Sequence, residues 1–345
     1  MKFFSTPTPT PSVGLHSTLA FCSTATPITC WTSGNVSNPS GMPSVVPSTT
    51  EERAGQFILA GSATPADDLQ RHSGAGRFGT LRMRTMTLTE KQATTPSVSV
   101  AELITGTPPT PSNSTVTLPD YLAHIAVAGW PALIGADEDA ARDLLDGYLD
   151  VIVESDIKEV SGGPRDPRLV RRFLHAYAQM ASQTANLSTI MKRAREDRDD
   201  ADAPSRNAAE IYLQALRRMM IIDEVPAWDP SVRSSKRLTT TPKRQLADPS
   251  LAAALLNMSA ARMLDDLETI GFLFESLVAH DLRVYAEAAR AFTYHYREAR
   301  GPSVAAAPAL TVLALVTRVI ASGARQKAYE EIFGSLRPPR PARPP

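Results

Sequence analysis

The chain has 345 residues, 43% hydrophobic and 21% charged, which is enough for about two packed domains. Lys+Arg and Asp+Glu both number 36, so overall charge offers no argument for nucleic acid or an anionic membrane as a partner. The only two cysteines, Cys22 and Cys30, do not make a disulfide framework, and six scattered histidines without C-x-x-C or H-E-x-x-H spacing indicate no metal site.

The first part of the chain has the composition of an unfolded extension. Residues 3–50 contain no Asp, Glu, Lys or Arg and are rich in Ser, Thr and Pro. Such a segment cannot bury enough apolar surface to offset the entropy of folding, so we predict disorder over residues 1–53. No apolar stretch of signal-peptide length follows the first residues. We therefore expect a cytoplasmic protein without a membrane association.

A short apolar run at residues 56–61 ends in Gly and predicts a strand buried on both faces, as in a parallel sheet. Ser62 follows at its carboxyl end, where doubly wound sheets place ligand contacts. A buried parallel strand needs parallel neighbours, and none is evident before it. The pattern therefore predicts an orphan strand.

Three glycines, Gly74, Gly76 and Gly79, formally match the G-x-G-x-x-G dinucleotide motif. That motif should lie between a strand and a helix, yet residues 81–88 alternate in the manner of a strand. We favour a flexible turn between strands here. A phosphate contact by Arg71 or Arg77 is the alternative.

Residues 91–117 form a second linker rich in Thr, Pro and Ser, and a helical region follows. Apolar residues at helical spacing predict helices from Leu118, over 140–157, over 168–180, from Asn207 and over 271–285. Short helical segments are expected from Thr189 with Ser188 as cap, over 250–258 and over 260–269. In the 140–157 helix, the residues predicted to share one apolar face are Leu144, Leu145, Tyr148, Val151 and Ile152. In the 168–180 helix, the residues predicted to face inward are Val170, Phe173, Leu174, Tyr177 and Met180. In the 271–285 helix, they are Phe274, Leu277, Val278, Leu282 and Tyr285.

The helix from Asn207 has a predicted capping box with Glu210, and Arg217 and Arg218 are predicted to project outward. Residues 221–228 and 237–239 read as two short strands joined by a basic loop. Three helices followed by such a ribbon are the ingredients of a winged helix-turn-helix. The unit could contact DNA phosphates through a local basic cluster. Its members are Arg206, Arg217, Arg218, Arg233, Lys236, Arg237, Lys243 and Arg244.

Glu275 lies beside the apolar face of the last predicted helix. We interpret it as a solvated or locally paired carboxylate, with the first acid of a metal-dependent site as the alternative. We assign no element to the tail, residues 298–345, and we expect its last part, residues 337–345, to be disordered.

In order along the chain, several segments resemble the prokaryotic AAA-type P-loop ATPases that carry domain of unknown function 4143. Gln56-Phe-Ile-Leu-Ala-Gly-Ser-Ala-Thr-Pro is similar to the sensor 1 strand of that family. Pro226-Ala-Trp, Leu246-Ala-Asp-Pro-Ser-Leu and Phe274-Glu-Ser-Leu-Val are similar to its C-terminal domain. The resemblance implies that residues 54–90 are a remnant of the ATPase core and residues 118–297 the C-terminal domain. ATP and Mg²⁺ are implied by the family alone, with Ser62 and Arg77 as the nucleotide contacts.

The family's Walker A loop and Walker B acid are missing, and no Lys follows a Gly anywhere. The expected fold is therefore mainly α with small β elements: the remnant of an α/β P-loop core, then a helical domain with a winged-helix-like unit. The expected function is that of a truncated member of the ATPase family, unable to hydrolyse ATP alone and without catalytic residues of its own. The alternative is a non-enzymatic module that binds DNA or another protein.

Overall fold

The computed structural model describes residues 29–32, 57–60, 81–94, 97–107, 115–196, 203–228 and 240–295. The chain divides into two compact units, Met1–Leu69 and Gln70–Pro345. Helices account for most of the described residues. The prediction of a mainly α protein is thereby confirmed.

The first unit contains two four-residue strands, β1 (Thr29–Thr32) and β2 (Phe57–Ala60). They pair in parallel, with Thr29 opposite Phe57 and Thr32 opposite Ala60. The predicted strand at residues 56–61 is confirmed in position, but the prediction that it lacks a neighbour is wrong. Its partner lies in the segment that we expected to be unstructured. A local Thr-Cys-Trp-Thr sequence, rich in strand-forming residues, outweighs the surrounding composition there.

The second unit is a helical domain preceded by an extended segment, residues 81–86, and by turns over residues 88–94. A single 3₁₀ turn, Pro131–Leu133, leads into its third helix. The helices are α1 (Val100–Thr105), α2 (Leu118–Val127), α3 (Glu138–Val151), α4 (Ile157–Ser161), α5 (Pro167–Ala178), α6 (Leu187–Arg193), α7 (Arg206–Arg218), α8 (Pro249–Leu255), α9 (Ala260–Met263) and α10 (Leu267–Ala288).

The short helix α8 lies at the centre of the domain, and every one of its seven residues is buried. It contacts α2, α3, α5 and α10. Its three consecutive alanines leave room for neighbouring helices to approach closely. Asp248 begins the helix by accepting hydrogen bonds from the backbone N–H (2.9 Å) and hydroxyl (2.6 Å) of Ser250. Its other carboxylate oxygen accepts from the N–H of Gly129, 3.0 Å away.

The predicted helix over residues 140–157 is interrupted by a π-helical turn, Ile152–Asp156. A π turn inserts an extra residue and rotates the following face of the helix. Val151, predicted to face inward, lies immediately before this turn and is exposed, whereas Ile152, Val153 and Ile157 are buried. The helix over 168–180 needs no such correction, since the five apolar residues that we placed inward are all buried: Val170, Phe173, Leu174, Tyr177 and Met180.

Two predicted helix starts are wrong by one or two residues. Asn186, not Ser188, caps α6, and it accepts a hydrogen bond of 2.8 Å from the N–H of Thr189. Ser205 caps α7, so Asn207 lies inside the helix. Several adjacent polar residues could cap each helix, and packing selects among them.

No regular two-stranded wing follows α7 in the described part of the chain. Residues 221–227 pair instead with 243–246 through isolated antiparallel bridges, between Ile222 and Leu246 and between Val225 and Lys243. A parallel bridge also joins Ala227 to His295. The predicted partner strand, residues 237–239, lies outside the described residues. The structure therefore gives no support to the winged helix-turn-helix.

Candidate functional site

A stripe of polar side chains runs along the inner face of α10. Ser276, His280 and Arg283 are buried, and Glu287 follows one turn later. The spacing of three or four residues places all four on one face of the helix. This face is opposite to our prediction, which had apolar residues facing inward. Of those, only Leu277 is buried, while the other four are half-buried: Phe274, Val278, Leu282 and Tyr285.

The first part of the stripe is a neutral hydrogen-bond chain. The Ser276 hydroxyl donates to the side-chain carbonyl of Gln245 at 2.7 Å, and the Gln245 amide donates to the Ser182 hydroxyl at 3.0 Å. Ser182 in turn donates to the backbone carbonyl of Phe272 at 2.8 Å. Every buried polar side chain in this series of hydrogen bonds has a partner. The series therefore holds the domain together and shows no evident ligand role.

Glu275 forms a buried ion pair with Lys243. Burial raises the pKa of the Glu275 carboxyl, and the positive charge of Lys243 counteracts that rise. The interpretation of Glu275 as a solvated or locally paired carboxylate is therefore wrong, because its partner is 32 residues away and both groups are buried. A pair of this kind ties α10 to residues 243–246.

Thr85, His280 and Asp281 are joined by hydrogen bonds in the same order as the nucleophile, base and acid of a catalytic triad. The Thr85 hydroxyl lies 2.9 Å from His280 Nε2, and His280 Nδ1 lies 2.9 Å from Asp281 Oδ1. Asp281 Oδ2 also accepts a hydrogen bond from the N–H of Leu88 at 3.0 Å. The cavity beside His280 is only about 10 Å³, room for no more than one water molecule. This arrangement therefore fastens residues 85–88 to α10.

Three arginines converge on Asp223 near the end of α10. Arg82 binds it at 2.8 Å, Arg283 at 2.5 Å, and Arg84 contacts its second oxygen. Arg84 also holds Glu287 through two hydrogen bonds. Arg82 and Arg84 come from the extended segment, in which alternate residues Leu81 and Met83 point outward. The predicted alternation is present, with the arginines rather than the apolar residues facing the protein.

Glu224, the neighbour of Asp223, is held by two more arginines. Arg217 binds one carboxylate oxygen through two hydrogen bonds of 2.9 and 2.5 Å, and Arg244 binds the other oxygen. We name these eight groups the arginine cluster: Arg82, Arg84, Arg217, Arg244, Arg283, Asp223, Glu224 and Glu287. It contains five guanidinium groups and three carboxylates.

Burial lowers the pKa values of guanidinium groups in the cluster, and neighbouring positive charges lower some of them further. Burial lowers the pKa of Arg283 to about 10, against an opposing contribution from the charge of Glu287. Burial also lowers the pKa of Arg82, and the positive charge of Arg283 lowers it further. The pKa of Arg84 falls for the same two reasons, although its hydrogen bond to Glu287 counteracts them. Like charges have thus been brought together in a partly desolvated place.

A cavity of about 230 Å³ opens at the arginine cluster, and we name it the cleft. Its charged lining comes from the cluster, and its other lining comes from Pro226 and from residues 291–294, which follow α10. Phe292, at 70% exposure, marks its rim. The complete lining is Arg84, Asp223, Glu224, Pro226, Arg283, Glu287, Ala291, Phe292, Thr293 and Tyr294.

The residues predicted to bind DNA differ from one another in their surroundings. Arg217 and Lys243 are engaged by Glu224 and Glu275, and Arg218 donates to the carbonyl of Val160 at 2.7 Å. Arg206 is exposed and pairs with Glu210 at 3.1 Å within α7. Arg233, Lys236 and Arg237 lie outside the described residues, as do the predicted nucleotide contacts Ser62 and Arg77.

Sequence reasoning missed the cleft, although two signals for it were present. Arg82 and Arg84 alternate with apolar residues in a segment predicted to be a strand, which requires a buried partner for one of the two sets. Ser276, His280, Arg283 and Glu287 occur at helical spacing in a helix that we judged buried. Together these two patterns indicate a polar contact between the segment and α10.

The chain matches one family model, that of the domain of unknown function DUF8612, over residues 118–262. The match covers less than half of the chain and runs from α2 to α9. No curated protein and no solved structure matches the chain. Asp223 and Glu224 lie inside the matched range, whereas the extended segment and α10 lie outside it.

The resemblance to AAA-type P-loop ATPases is wrong. No model of that family or of domain of unknown function 4143 matches, and the matched model belongs to a different domain. Of the quoted motifs, Leu246-Ala-Asp-Pro-Ser-Leu contains the start of α8 and Phe274-Glu-Ser-Leu-Val lies inside α10, and such helical patterns are not specific to one family. The ATPase-core remnant at residues 54–90 was implied only by that resemblance, so nothing now supports it.

Across the described ranges, no three His, Cys, Asp or Glu side chains are grouped so as to hold a metal ion. Within the same ranges, no helix combines the length and apolar character needed to cross a membrane.

Proposed function

We propose that the helical domain is a protein-binding module that docks a segment of another protein at the cleft. The observation that carries the proposal is the lining of the cleft, which combines Arg84 and Arg283 with Phe292 and Tyr294. Arg and aromatic residues are enriched where proteins bind one another, and they supply most of the binding energy there.

The arrangement of the basic residues favours a protein over DNA as the partner. Binding to a duplex depends on Lys and Arg side chains that neutralise phosphates. Of the residues predicted for that role, Arg217 and Lys243 already bind carboxylates of this chain. Arg218 engages a backbone carbonyl. The charges left for a phosphate backbone are correspondingly fewer.

The proposal can be tested by site-specific photo-crosslinking of the full chain in the cells that naturally contain it. The photoreactive residue p-benzoylphenylalanine replaces Phe292 at the rim of the cleft. The matched control carries it in place of Leu267, which is 75% exposed at the opposite end of α10. A helix of 22 residues is about 33 Å long, so the two positions sample separate surfaces.

We expect a discrete protein adduct from position 292 that is absent from position 267. An adduct that nuclease removes would assign the cleft to nucleic acid and overturn the proposal. Equal adducts at both positions, or none at position 292, would also overturn it, because the cleft would then not be the docking surface.

A further inference from the structure

We propose that the docked partner segment adds as a β-strand to the extended segment, residues 81–86, and pairs with the backbone of Leu81, Met83 and Thr85. This inference rests on the proposed function and specifies the conformation and the side-chain pattern of what docks. Four observations carry it: a backbone edge without a partner among the described residues, exposed apolar side chains on the segment, its fixed position, and the place of Arg84 in both the segment and the cleft.

The two edges of the extended segment differ. The N–H of Met86 donates to the carbonyl of Gly129 at 2.6 Å, so one edge faces the turn after α2. In an extended chain the N–H and C=O groups of successive residues point to opposite edges. Leu81, Met83 and Thr85 therefore present theirs to the other edge, and within the described ranges these three residues form no backbone–backbone hydrogen bond. We name this the free edge, and such an edge is a template for pairing with another extended chain.

The outward side chains of the segment are apolar. Leu81 is 88% exposed and Met83 is 64% exposed, whereas Arg82 and Arg84 face the protein and bind Asp223. Edge strands of soluble proteins commonly carry charged residues or Pro, which discourage pairing. Leu81 and Met83 do the reverse, because an added strand would bring its own side chains against them. The side chains of that strand on the same face should therefore be apolar, at alternate positions.

The inner face of the segment is fixed by side-chain contacts before any partner binds. Arg84 binds Asp223 and Glu287, and the Thr85 hydroxyl lies 2.9 Å from His280 Nε2. A backbone that is already held in its bound conformation loses little freedom on association. The segment is therefore a preorganised template for a strand.

Arg84 connects the free edge to the cleft, because it belongs to the segment and also lines the cleft. Its guanidinium group binds both oxygens of Glu287. The other arginine of the lining, Arg283, donates to the backbone carbonyls of Asp223 and Glu224. Neither offers an unpaired charge to an incoming group, so charge complementarity favours an uncharged segment. Backbone hydrogen bonds at the free edge give such a segment affinity, and its apolar side chains give specificity.

The test begins with random peptides displayed on phage and selected on the full chain. We expect the selected peptides to share apolar residues at alternate positions. One of them is synthesised with a fluorescent label, together with two versions in which alternate backbone nitrogens are methylated, in one register or in the other. Only every second N–H of an added strand points at its neighbour. One methylated version should therefore bind about tenfold more weakly, because two or more hydrogen bonds are lost, and the other should bind within about twofold of the parent peptide.

Two variants with matched chemistry locate the added strand. Met83→Pro removes one N–H from the free edge while remaining compatible with an extended backbone, and it should weaken peptide binding about tenfold. Leu118→Pro places the same residue at the first position of α2, where Pro is tolerated, and should leave the dissociation constant within about twofold. Both side chains are exposed, so both variants should keep the circular dichroism spectrum of the parent. The methylated peptides test the same pairing on the unaltered chain.

The outcomes separate this inference from the proposed function. Equal effects of the two methylation registers would overturn the added strand while leaving the docking of a protein segment at the cleft intact. Equal binding to the two Pro variants would overturn its location. A register effect without a cross-link at position 292 would support the added strand and overturn the cleft as the docking surface. Failure to select any peptide would overturn the added strand, and with no cross-link at position 292 it would overturn both proposals.

Discussion

Arg84 binds both carboxylate oxygens of Glu287, through hydrogen bonds of 3.1 and 2.6 Å, across 203 residues of sequence. The same guanidinium contacts Asp223, so one side chain joins the extended segment, the strand-like residues after α7 and the end of α10. Its side chain is 9% exposed. Arg84 is therefore a structural joint as well as a wall of the cleft.

Replacing Arg84 by Lys keeps the charge but removes the planar set of donors. We expect Arg84→Lys to lower the free energy of unfolding by about 1.5–3 kcal/mol, because several charge-assisted hydrogen bonds cannot re-form. Urea denaturation followed by circular dichroism measures this. Arg206→Lys is the matched control, since Arg206 pairs with Glu210 on the surface and such pairs contribute about 0–1 kcal/mol. Equal effects of the two substitutions would show that the joint at Arg84 is unimportant.

The buried pair of Lys243 and Glu275 gives different predictions for a single and a double substitution. Glu275→Gln leaves a buried ammonium without a counter-charge and should lower the free energy of unfolding by about 3–5 kcal/mol. Replacing both residues by Met removes both desolvation costs and should restore most of the loss. The same urea titration measures all three proteins. A double variant that is less stable than Glu275→Gln would contradict this account.

Gly129 lies where the turn before α3 touches the extended segment. A Cβ there would come within 2.5 Å of the carbonyl oxygen of Met86, and the Gly129 carbonyl accepts the Met86 N–H at 2.6 Å. Gly129→Ala should therefore destabilise the protein by about 1–3 kcal/mol, since backbone must move. Gly147, exposed in α3 with nothing near its Cβ position, is the control. Gly147→Ala should raise the melting temperature, because Gly costs about 0.5–1 kcal/mol in a helix.

Tyr148 makes the free energy of unfolding depend on pH in the alkaline range. Burial, aided by the negative charge of Asp156, raises its pKa from 10.0 to about 12. Between these values the unfolded chain releases the phenolic proton and the folded chain keeps it. The free energy of unfolding should therefore fall by about 1.4 kcal/mol per pH unit for this group from pH 10 to 12. Tyr148→Phe should reduce the slope by that amount, and parallel curves for the two proteins would contradict the prediction.

Helical periodicity predicted the main helices and most of the inward face of α5 because those residues follow one period without interruption. It failed at Val151, which is exposed, and it did not predict the π turn that begins at the next residue, since no residue type indicates such a turn. Caps were misplaced at α6 and α7 because neighbouring Ser and Asn residues are chemically equivalent candidates.

The cleft was the larger omission. In α10 the apolar stripe predicts a conventional core helix, yet the side that faces inward carries Glu275, His280, Asp281 and Arg283. Each of these is stable inside only because a partner from another segment meets it. Some of those partners lie about 200 residues away in the sequence, so no local pattern could identify them.

The sequence alone determined the helical class, the approximate positions of most helices and the extended character of residues 57–60 and 81–86, because these depend on local periodicity and propensity. It did not predict α1, which lies within the expected linker. Only the tertiary structure decided which face of α10 is buried, which cations are neutralised and where a cleft opens. Whether a buried charge raises or lowers the free energy of the folded state depends on the group that it pairs with. That pairing is a property of the folded chain, and so is the site that it creates.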